Sequence, residues 1–164
     1  MDMGKLEASY KRLQKSVHPD KFGQRTQRER DISADASSQL NVAYRVLRSP
    51  SARAQYLLQR QGIDAIGEAT GTTSTATELL MEIMEAREVL EDTSSSRETI
   101  RTMERQVDGV LTGLVRKLSA AFRAKDYAAA ADLTVRLQYY TKLHNEIEDW
   151  FADAQAIGST PPPS

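Results

Sequence analysis

Apolar residues recur at every third or fourth position over most of the chain, which is the spacing of one face of an α-helix. The pattern begins at residues 5–16, where Leu6, Tyr10 and Leu13 share one face and basic side chains cover the rest of each turn. Glycine and proline are scarce, with 8 and 5 residues, and long stretches of Ala, Leu, Glu, Arg and Gln favour helix. The sequence therefore predicts an all-α protein.

Breaks in this pattern predict where the first helices begin and end. Pro19 ends the first helix, because proline biases the preceding residue away from helical angles. Thr26 and Glu29 form a reciprocal capping box that starts the second helix, and a short third helix is expected within residues 50–62. The apolar face predicted for the second helix consists of Ile32, Ala36, Leu40, Ala43 and Leu47.

A polar stretch rich in Gly, Thr and Ser, residues 63–76, is predicted to link two modules. Residues 1–62 are predicted to form a helical hairpin module. Residues 77–156 are predicted to form an antiparallel three-helix bundle, because short connections make consecutive helices antiparallel neighbours. Residues 157–164 form a proline-rich tail that is expected to be disordered.

Three helices are expected in the second module. Capping boxes at Thr75 and Ser95 are predicted to start the first two, and Asp126 is predicted to cap the last. The two long helices then run for ~40 Å each, at ~1.5 Å per residue. Their expected core positions are Ile100, Met103, Val107, Leu111, Leu114, Leu118 and Phe122 on one and Ala130, Leu133, Leu137, Tyr140, His144, Ile147 and Phe151 on the other.

The small net charge of −1 conceals a division between the modules. Up to Arg60 the chain has 12 Lys and Arg against 6 Asp and Glu, and after it 10 against 17. Such asymmetry suggests different partners, with an acidic surface facing the basic half. The absence of cysteine excludes disulfides, thiolate metal sites and a cysteine nucleophile. No apolar run approaches the ~20 residues of a membrane span, and no targeting segment is recognisable.

A His-Pro-Asp tripeptide follows the basic helix. In isolation such a tripeptide is usually only a turn. Here it connects a basic helix to a second amphipathic helix, and in that setting the module resembles the J domain of the DnaJ family. The resemblance implies that the loop and the basic helix bind a DnaK-type chaperone and stimulate its ATP hydrolysis. The implied chaperone-binding residues are Lys11, Arg12, Lys15, His18, Pro19, Asp20 and Lys21.

The two parts of this implied site suit different tasks. Solvated lysines and arginines steer association, whereas Pro19 restricts the loop and so lowers the cost of ordering Asp20 on docking. A complete J domain has a further helix before the basic one, and this sequence does not contain that helix's motif. The chain is therefore expected to be truncated at its amino terminus, and Leu6, Tyr10 and Leu13 are expected to lack one packing neighbour.

The helix at residues 77–90 has more apolar residues than one core face requires. Its expected core seam, within ~60° on a helical projection, consists of Leu79, Ile83, Ala86 and Leu90. Leu80, Met81 and Met84 lie outside that seam and among acidic residues. These three are either the margin of a wide core stripe or an exposed binding patch, and the residues alone leave both interpretations open.

Together the two modules resemble the HscB subfamily of J proteins over almost the whole chain. Besides HPDK, the resemblance is carried by LLMEIMEAREVL at residues 79–90 and KDYAAAADLTVRLQYYTKL at residues 125–143. It implies a co-chaperone, itself no enzyme and without a cofactor, whose bundle binds the IscU-type scaffold protein of iron–sulfur cluster assembly. The implied scaffold-binding residues are Leu80, Met81, Met84, Glu85, Arg87, Glu88 and Tyr139.

Tyr139, Leu143 and Trp150 share one side of the last helix, displaced from its predicted core stripe, which is independent support for a second face there. The KDYAAA stretch is closer to fungal mitochondrial members of the family. The mitochondrial matrix is therefore the expected compartment, with the bacterial cytoplasm as the alternative. We expect a monomer that binds neither nucleic acid nor membrane.

Three other classes compete with this interpretation. Intrinsic catalysis is disfavoured because His18 and His144, the two histidines, have no catalytic motif around them. Nucleic-acid binding is the main alternative, because the amino-terminal half has a net positive charge, although it shows no reader motif. A coiled coil built from the two long helices is disfavoured by the breaks at Ser95 and Asp126.

Overall fold

The computed structural model describes residues 2–18, 20, 26–65 and 74–158. These residues form six α-helices, and no strand occurs within the described ranges, which confirms the predicted fold class. None of the described helices is long and apolar enough to cross a membrane. The helices are α1 (Met3–Val17), α2 (Gln27–Arg48), α3 (Pro50–Gln59), α4 (Ser74–Glu91), α5 (Arg97–Ala124) and α6 (Tyr127–Gly158).

The chain divides into two compact units, Met1–Leu57 and Leu58–Ser164. Residues 66–73 of the predicted linker and 159–164 of the predicted disordered tail lie outside the described residues. The boundaries proposed from the sequence, residues 1–62, 63–76, 77–156 and 157–164, therefore stay a prediction.

Several predicted helix ends are confirmed by their hydrogen bonds. The Thr26 hydroxyl accepts from the Glu29 backbone N–H at 3.3 Å, and the Glu29 carboxylate accepts from the Thr26 N–H at 2.9 Å. Gly62 has a φ of 77°, and the Ile63 N–H donates to the Leu58 carbonyl, a glycine-dependent helix stop. Asp126 caps α6 by accepting from the Ala129 N–H at 3.0 Å.

Two predicted caps are wrong. The helix α4 begins at Ser74, so Thr75 lies inside the helix rather than before it. The residue that caps α5 is Ser96, whose hydroxyl accepts from the Thr99 N–H at 3.1 Å. The Ser95 hydroxyl instead donates to the Val89 carbonyl at 2.7 Å, which ties the turn to the end of α4. Both Ser95 and Ser96 can cap a helix, so the sequence pattern alone does not decide which of them precedes the first residue of α5.

Unit 1 is built on a hairpin of α1 and α2. The predicted apolar face of α2 is only partly covered, because Ala36 and Leu40 are half-buried, whereas Ile32 is 60% exposed and Ala43 and Leu47 are also exposed. The buried positions of α2 are Ser33 and Ser37, neither of which belongs to the predicted apolar face.

Specific hydrogen bonds and one aromatic stack join α1 to α2. The Tyr10 ring stacks on Tyr44 with centroids 4.1 Å apart, and its hydroxyl donates to the Asn41 side chain at 2.8 Å. Gln14 Nε2 donates to the Ser37 hydroxyl at 2.8 Å. At the end of α1, the Ser33 hydroxyl donates to the Val17 carbonyl at 2.6 Å. Because these bonds are directional, they fix the register of the hairpin.

Unit 2 contains the three-helix bundle of α4, α5 and α6, in which α5 and α6 pack along each other and α4 packs mainly on α6. Most of the predicted core seam is buried, including Leu79, Ile83, Ile100 and Ile147. The placement of Leu143 outside the core is wrong, because this side chain is only 1% exposed. Among the positions of these helices whose burial is described, the other buried residues are Val107, Leu114, Leu118, Ala121, Ala130, Thr134, Leu137 and Tyr140.

Candidate docking sites

His18 and Asp20 follow the end of α1, where the Ser33 hydroxyl donates to the Val17 carbonyl. The His18 Nδ1 atom accepts a hydrogen bond from the Asp20 backbone N–H at 3.3 Å. The Asp20 side chain is 90% exposed, with one carboxylate oxygen 3.5 Å from the same ring nitrogen. This local bond leaves the carboxylate accessible to a partner.

The basic face of α1 is exposed beside this segment. Lys11 forms an ion pair of 2.6 Å with Glu7, one turn earlier, and the hydrogen bond from Lys11 lowers the pKa of Glu7 below its usual value. Arg12 and Lys15 are exposed to solvent. Positive charge on an exposed surface favours rapid encounter with an acidic partner and is weakened by salt.

Four of the predicted chaperone-binding residues line one shallow groove. Its walls are formed by Tyr10, Lys11, Gln14, Lys15, His18 and Asp20. Pro19 and Lys21 fall outside the described residues, and Arg12 lies on α1 without lining the groove. Sequence periodicity assigned Tyr10 to the core and gave Gln14 no role. Their contacts with α2 are what place them at the groove, and that placement could not be read from α1 alone.

A second candidate site is the outer face of α4. Leu80, Met81 and Met84 are 44%, 61% and 59% exposed, whereas Leu79 and Ile83 on the same helix are buried. We call these three exposed residues the apolar patch. Of the two interpretations left open by the sequence, the structure favours exposure over the margin of a core stripe. A cluster of large apolar side chains that are exposed to solvent is typical of a protein-binding surface.

The predicted polar rim of the apolar patch divides into two kinds of residue. Glu85 and Glu88 are exposed. Arg87 is instead held by a bidentate ion pair with Glu146 on α6, with Nε–Oε2 and Nη2–Oε1 distances of 2.8 and 2.9 Å. These hydrogen bonds to Glu146 are the main cause that raises the pKa of Arg87, and Tyr139 makes a smaller contribution. Tyr139, on α6, is half-buried.

The second histidine has a structural setting in the bundle. His144 Nε2 lies 3.2 Å from an Asp108 carboxylate oxygen on α5, and Nδ1 lies 3.8 Å from Glu148. Within the described ranges, no group of three or more His, Asp or Glu residues is arranged to hold a metal ion. The Asp108 contact links α5 to α6, whereas Glu148 lies one turn from His144 on α6 itself.

Comparison with known proteins supports both modules. The family described as the HSCB C-terminal oligomerisation domain matches residues 75–148. The chain is 35% identical over 162 residues to the co-chaperone protein HscB homolog of Shewanella sp. (strain ANA-3), covering 93% of this chain and 92% of the relative.

Two solved structures resemble the whole fold. The chaperone HscB from Vibrio cholerae has a TM-score of 0.80 and 29% identity, covering 93% of this chain and 90% of that one. The human co-chaperone protein HscB has a TM-score of 0.75 and 30% identity, covering 90% of this chain and 74% of that one.

Fold and surface together define a helical co-chaperone, with a hairpin module followed by a three-helix bundle. Both modules align with the relatives, so the similarity is not confined to one common helical motif. The chain belongs to the HscB family of co-chaperones.

Proposed function

We propose that this co-chaperone brings an IscU-type iron–sulfur scaffold protein to a DnaK-type chaperone and stimulates ATP hydrolysis by that chaperone. The hairpin of unit 1 contacts the chaperone, and the apolar patch of α4 binds the scaffold. The observation that carries this proposal is the exposure of Leu80, Met81 and Met84 in an otherwise well-buried bundle. The named relatives found by sequence similarity are bacterial, which favours the bacterial cytoplasm over the mitochondrial matrix as the compartment.

The apolar patch has the properties of an interface centre. Fully burying an exposed Leu or Met side chain contributes ~1.5 to 3 kcal/mol. The three residues of the patch are about half exposed, so covering them in a complex contributes several kcal/mol together. Methionine is flexible and adapts to the shape of a partner. The exposed Glu85 and Glu88 beside the patch supply the polar rim that surrounds such centres.

The hairpin has the properties of a steering and triggering surface. Its proposed residues are Lys11, Arg12, Lys15, His18, Pro19, Asp20 and Lys21. Exposed cations speed encounter more than they tighten binding, whereas a presented carboxylate such as Asp20 forms strong charge-assisted bonds with an arginine. In this proposal, the basic helix α1 raises the rate of association with the chaperone, and the loop that contains Asp20 provides the specificity.

Scaffold binding is tested by calorimetry with the purified IscU-type scaffold. Replacing Leu80, Met81 and Met84 together by alanine is expected to weaken binding by about 30-fold or more, because the loss of even one hot-spot side chain costs ~2 kcal/mol or more. Val110→Ala is the matched control, since Val110 is also exposed but lies on α5. Unchanged affinity in the triple variant, with the helical circular dichroism signal intact, refutes the assignment.

Chaperone stimulation is tested by single-turnover ATP hydrolysis. Asp20→Asn is expected to abolish stimulation while the fold persists, because the exposed carboxylate is lost and the backbone bond to His18 is kept. Asp35→Asn, at an exposed acid on α2, is expected to stimulate like the wild type. Salt-sensitive retention on DNA together with unchanged chaperone ATPase would favour the nucleic-acid alternative instead.

A further inference from the structure

The apolar patch depends on how α4 is rotated about its own axis. At about 100° per residue, the apolar residues of α4 extend over an arc of about 220°, from Ala86 to Met81. Leu79 and Ile83 are buried, and Leu80 and Met84 form a second pair with the same spacing of four residues. Turning the helix by one residue would exchange one pair for the other. Apolar burial by itself therefore specifies the rotation of α4 only weakly.

One polar contact lies at an edge of the buried seam. Arg87 lies about 70° from the centre of the seam, on the side of Leu80 and Met84. Its guanidinium and the Glu146 carboxylate of α6 meet through two parallel hydrogen bonds, and the side chains are 35% and 31% exposed. Such a fork-to-fork pair constrains direction as well as distance.

We infer that Glu146, acting through Arg87, is a positioning residue that fixes the rotation of α4 and keeps the apolar patch facing outward. The inference rests on the proposed function for its consequence, scaffold binding. It also changes the role implied for Arg87, which becomes a link between helices rather than a contact with the scaffold. Glu146 does not belong to the apolar patch.

A charge exchange separates these two roles of Arg87. Arg87→Glu alone sets two carboxylates against each other and is expected to weaken binding of the purified IscU-type scaffold by about tenfold or more. Adding Glu146→Arg is expected to restore the affinity to within about threefold of the wild type. If Arg87 contacts the scaffold directly, the double variant stays as weak as Arg87→Glu, and the inference is overturned. Arg105→Glu, which breaks an exposed ion pair within α5, is the control and should leave affinity unchanged.

A second readout does not depend on the scaffold. The chain has no cysteine, so Met84→Cys and Ile83→Cys each create a single reporter thiol. In the Arg87→Glu background, maleimide labelling is expected to slow at Met84→Cys and to accelerate at Ile83→Cys, each by about tenfold. Simple loosening of α4 would accelerate labelling at Ile83→Cys without slowing it at Met84→Cys. Unchanged rates at both positions, or loosening alone, contradict the inference.

The two experiments fail in distinguishable ways. Normal scaffold binding by the variant with alanine at Leu80, Met81 and Met84 refutes the proposed scaffold site, while the thiol rates still decide whether Glu146 sets the rotation of α4.

Discussion

The hairpin of unit 1 and the bundle of unit 2 are both made of amphipathic helices, yet different chemistry stabilises them. The hairpin buries serines and joins α1 to α2 through Tyr10, Gln14 and Ser33. The bundle buries aliphatic side chains such as Ile100 and Ile147 completely. In the hairpin, directional hydrogen bonds define the geometry. In the bundle, dense packing of aliphatic side chains provides the stability.

This difference extends to the two candidate docking sites. The hairpin presents basic side chains and the exposed carboxylate of Asp20, a surface suited to rapid, salt-dependent encounter. The bundle presents an apolar patch whose neighbours on the same helix form the core, a surface suited to a longer-lived contact. A co-chaperone that releases one partner and retains another would use both kinds.

The largest expected difference in stability is between alanine substitutions at two isoleucines, one in each unit. Ile147→Ala is expected to reduce the free energy of unfolding of the bundle by ~2 to 5 kcal/mol, because Ile147 is fully buried and its loss leaves a cavity. Ile32→Ala should cost less than about 0.5 kcal/mol, because Ile32 is mostly exposed. Urea unfolding followed by Trp150 fluorescence reports on the bundle, and hydrogen exchange of α2 amides reports on the hairpin. Equal losses would remove the contrast between the units.

A serine pair tests whether polar bonds stabilise the hairpin. Ser33→Ala is expected to destabilise α2 by ~1 kcal/mol, because the Val17 carbonyl loses its donor at a part-buried position. Ser38→Ala, at an exposed position on the same helix, should stay within about 0.5 kcal/mol of the wild type. Hydrogen exchange of α2 amides measures both variants. The same small effect at Ser33 and Ser38 would argue against a polar basis for the hairpin.

The bundle helix α5 can be stabilised at its glycines. Gly109→Ala is expected to increase the free energy of unfolding by ~0.5 to 1 kcal/mol, because alanine restricts the unfolded chain. An added Cβ atom at Gly109 or Gly113 meets no other atom within 4 Å. Urea unfolding monitored by Trp150 fluorescence measures the gain. A loss of stability would mean that the bundle needs glycine at this position.

The smallest expected effect is a pH dependence of the free energy of unfolding, and it appears only in alkaline solution. Burial raises the folded-state pKa of Tyr140, so its contribution to stability is complete below pH ~10 and is lost as the pH rises from ~10 toward the folded-state value. The difference in unfolding free energy between wild type and Tyr140→Phe is therefore expected to be constant below pH 10 and to shrink above it. A constant difference at higher pH would show that the folded and unfolded phenols titrate alike.

The sequence by itself determined the helical class and most helix ends, and it placed Leu79 and Leu80 on different sides of α4. These features depend on local periodicity and on capping residues such as Thr26 and Asp126, which act within one or two turns. The sequence did not show whether Ser95 or Ser96 caps α5, because adjacent serines offer equivalent hydroxyls.

Tertiary structure decided what depends on facing helices. Ser33 and Ser37 are buried because α1 offers them hydrogen-bond partners, and no property of α2 alone indicates this. Leu143 lies in the core and Arg87 pairs with Glu146, 59 residues away in the chain. Periodicity specifies which side chains share a face, but only the packing of one helix against another determines which face is covered and which remains free to bind.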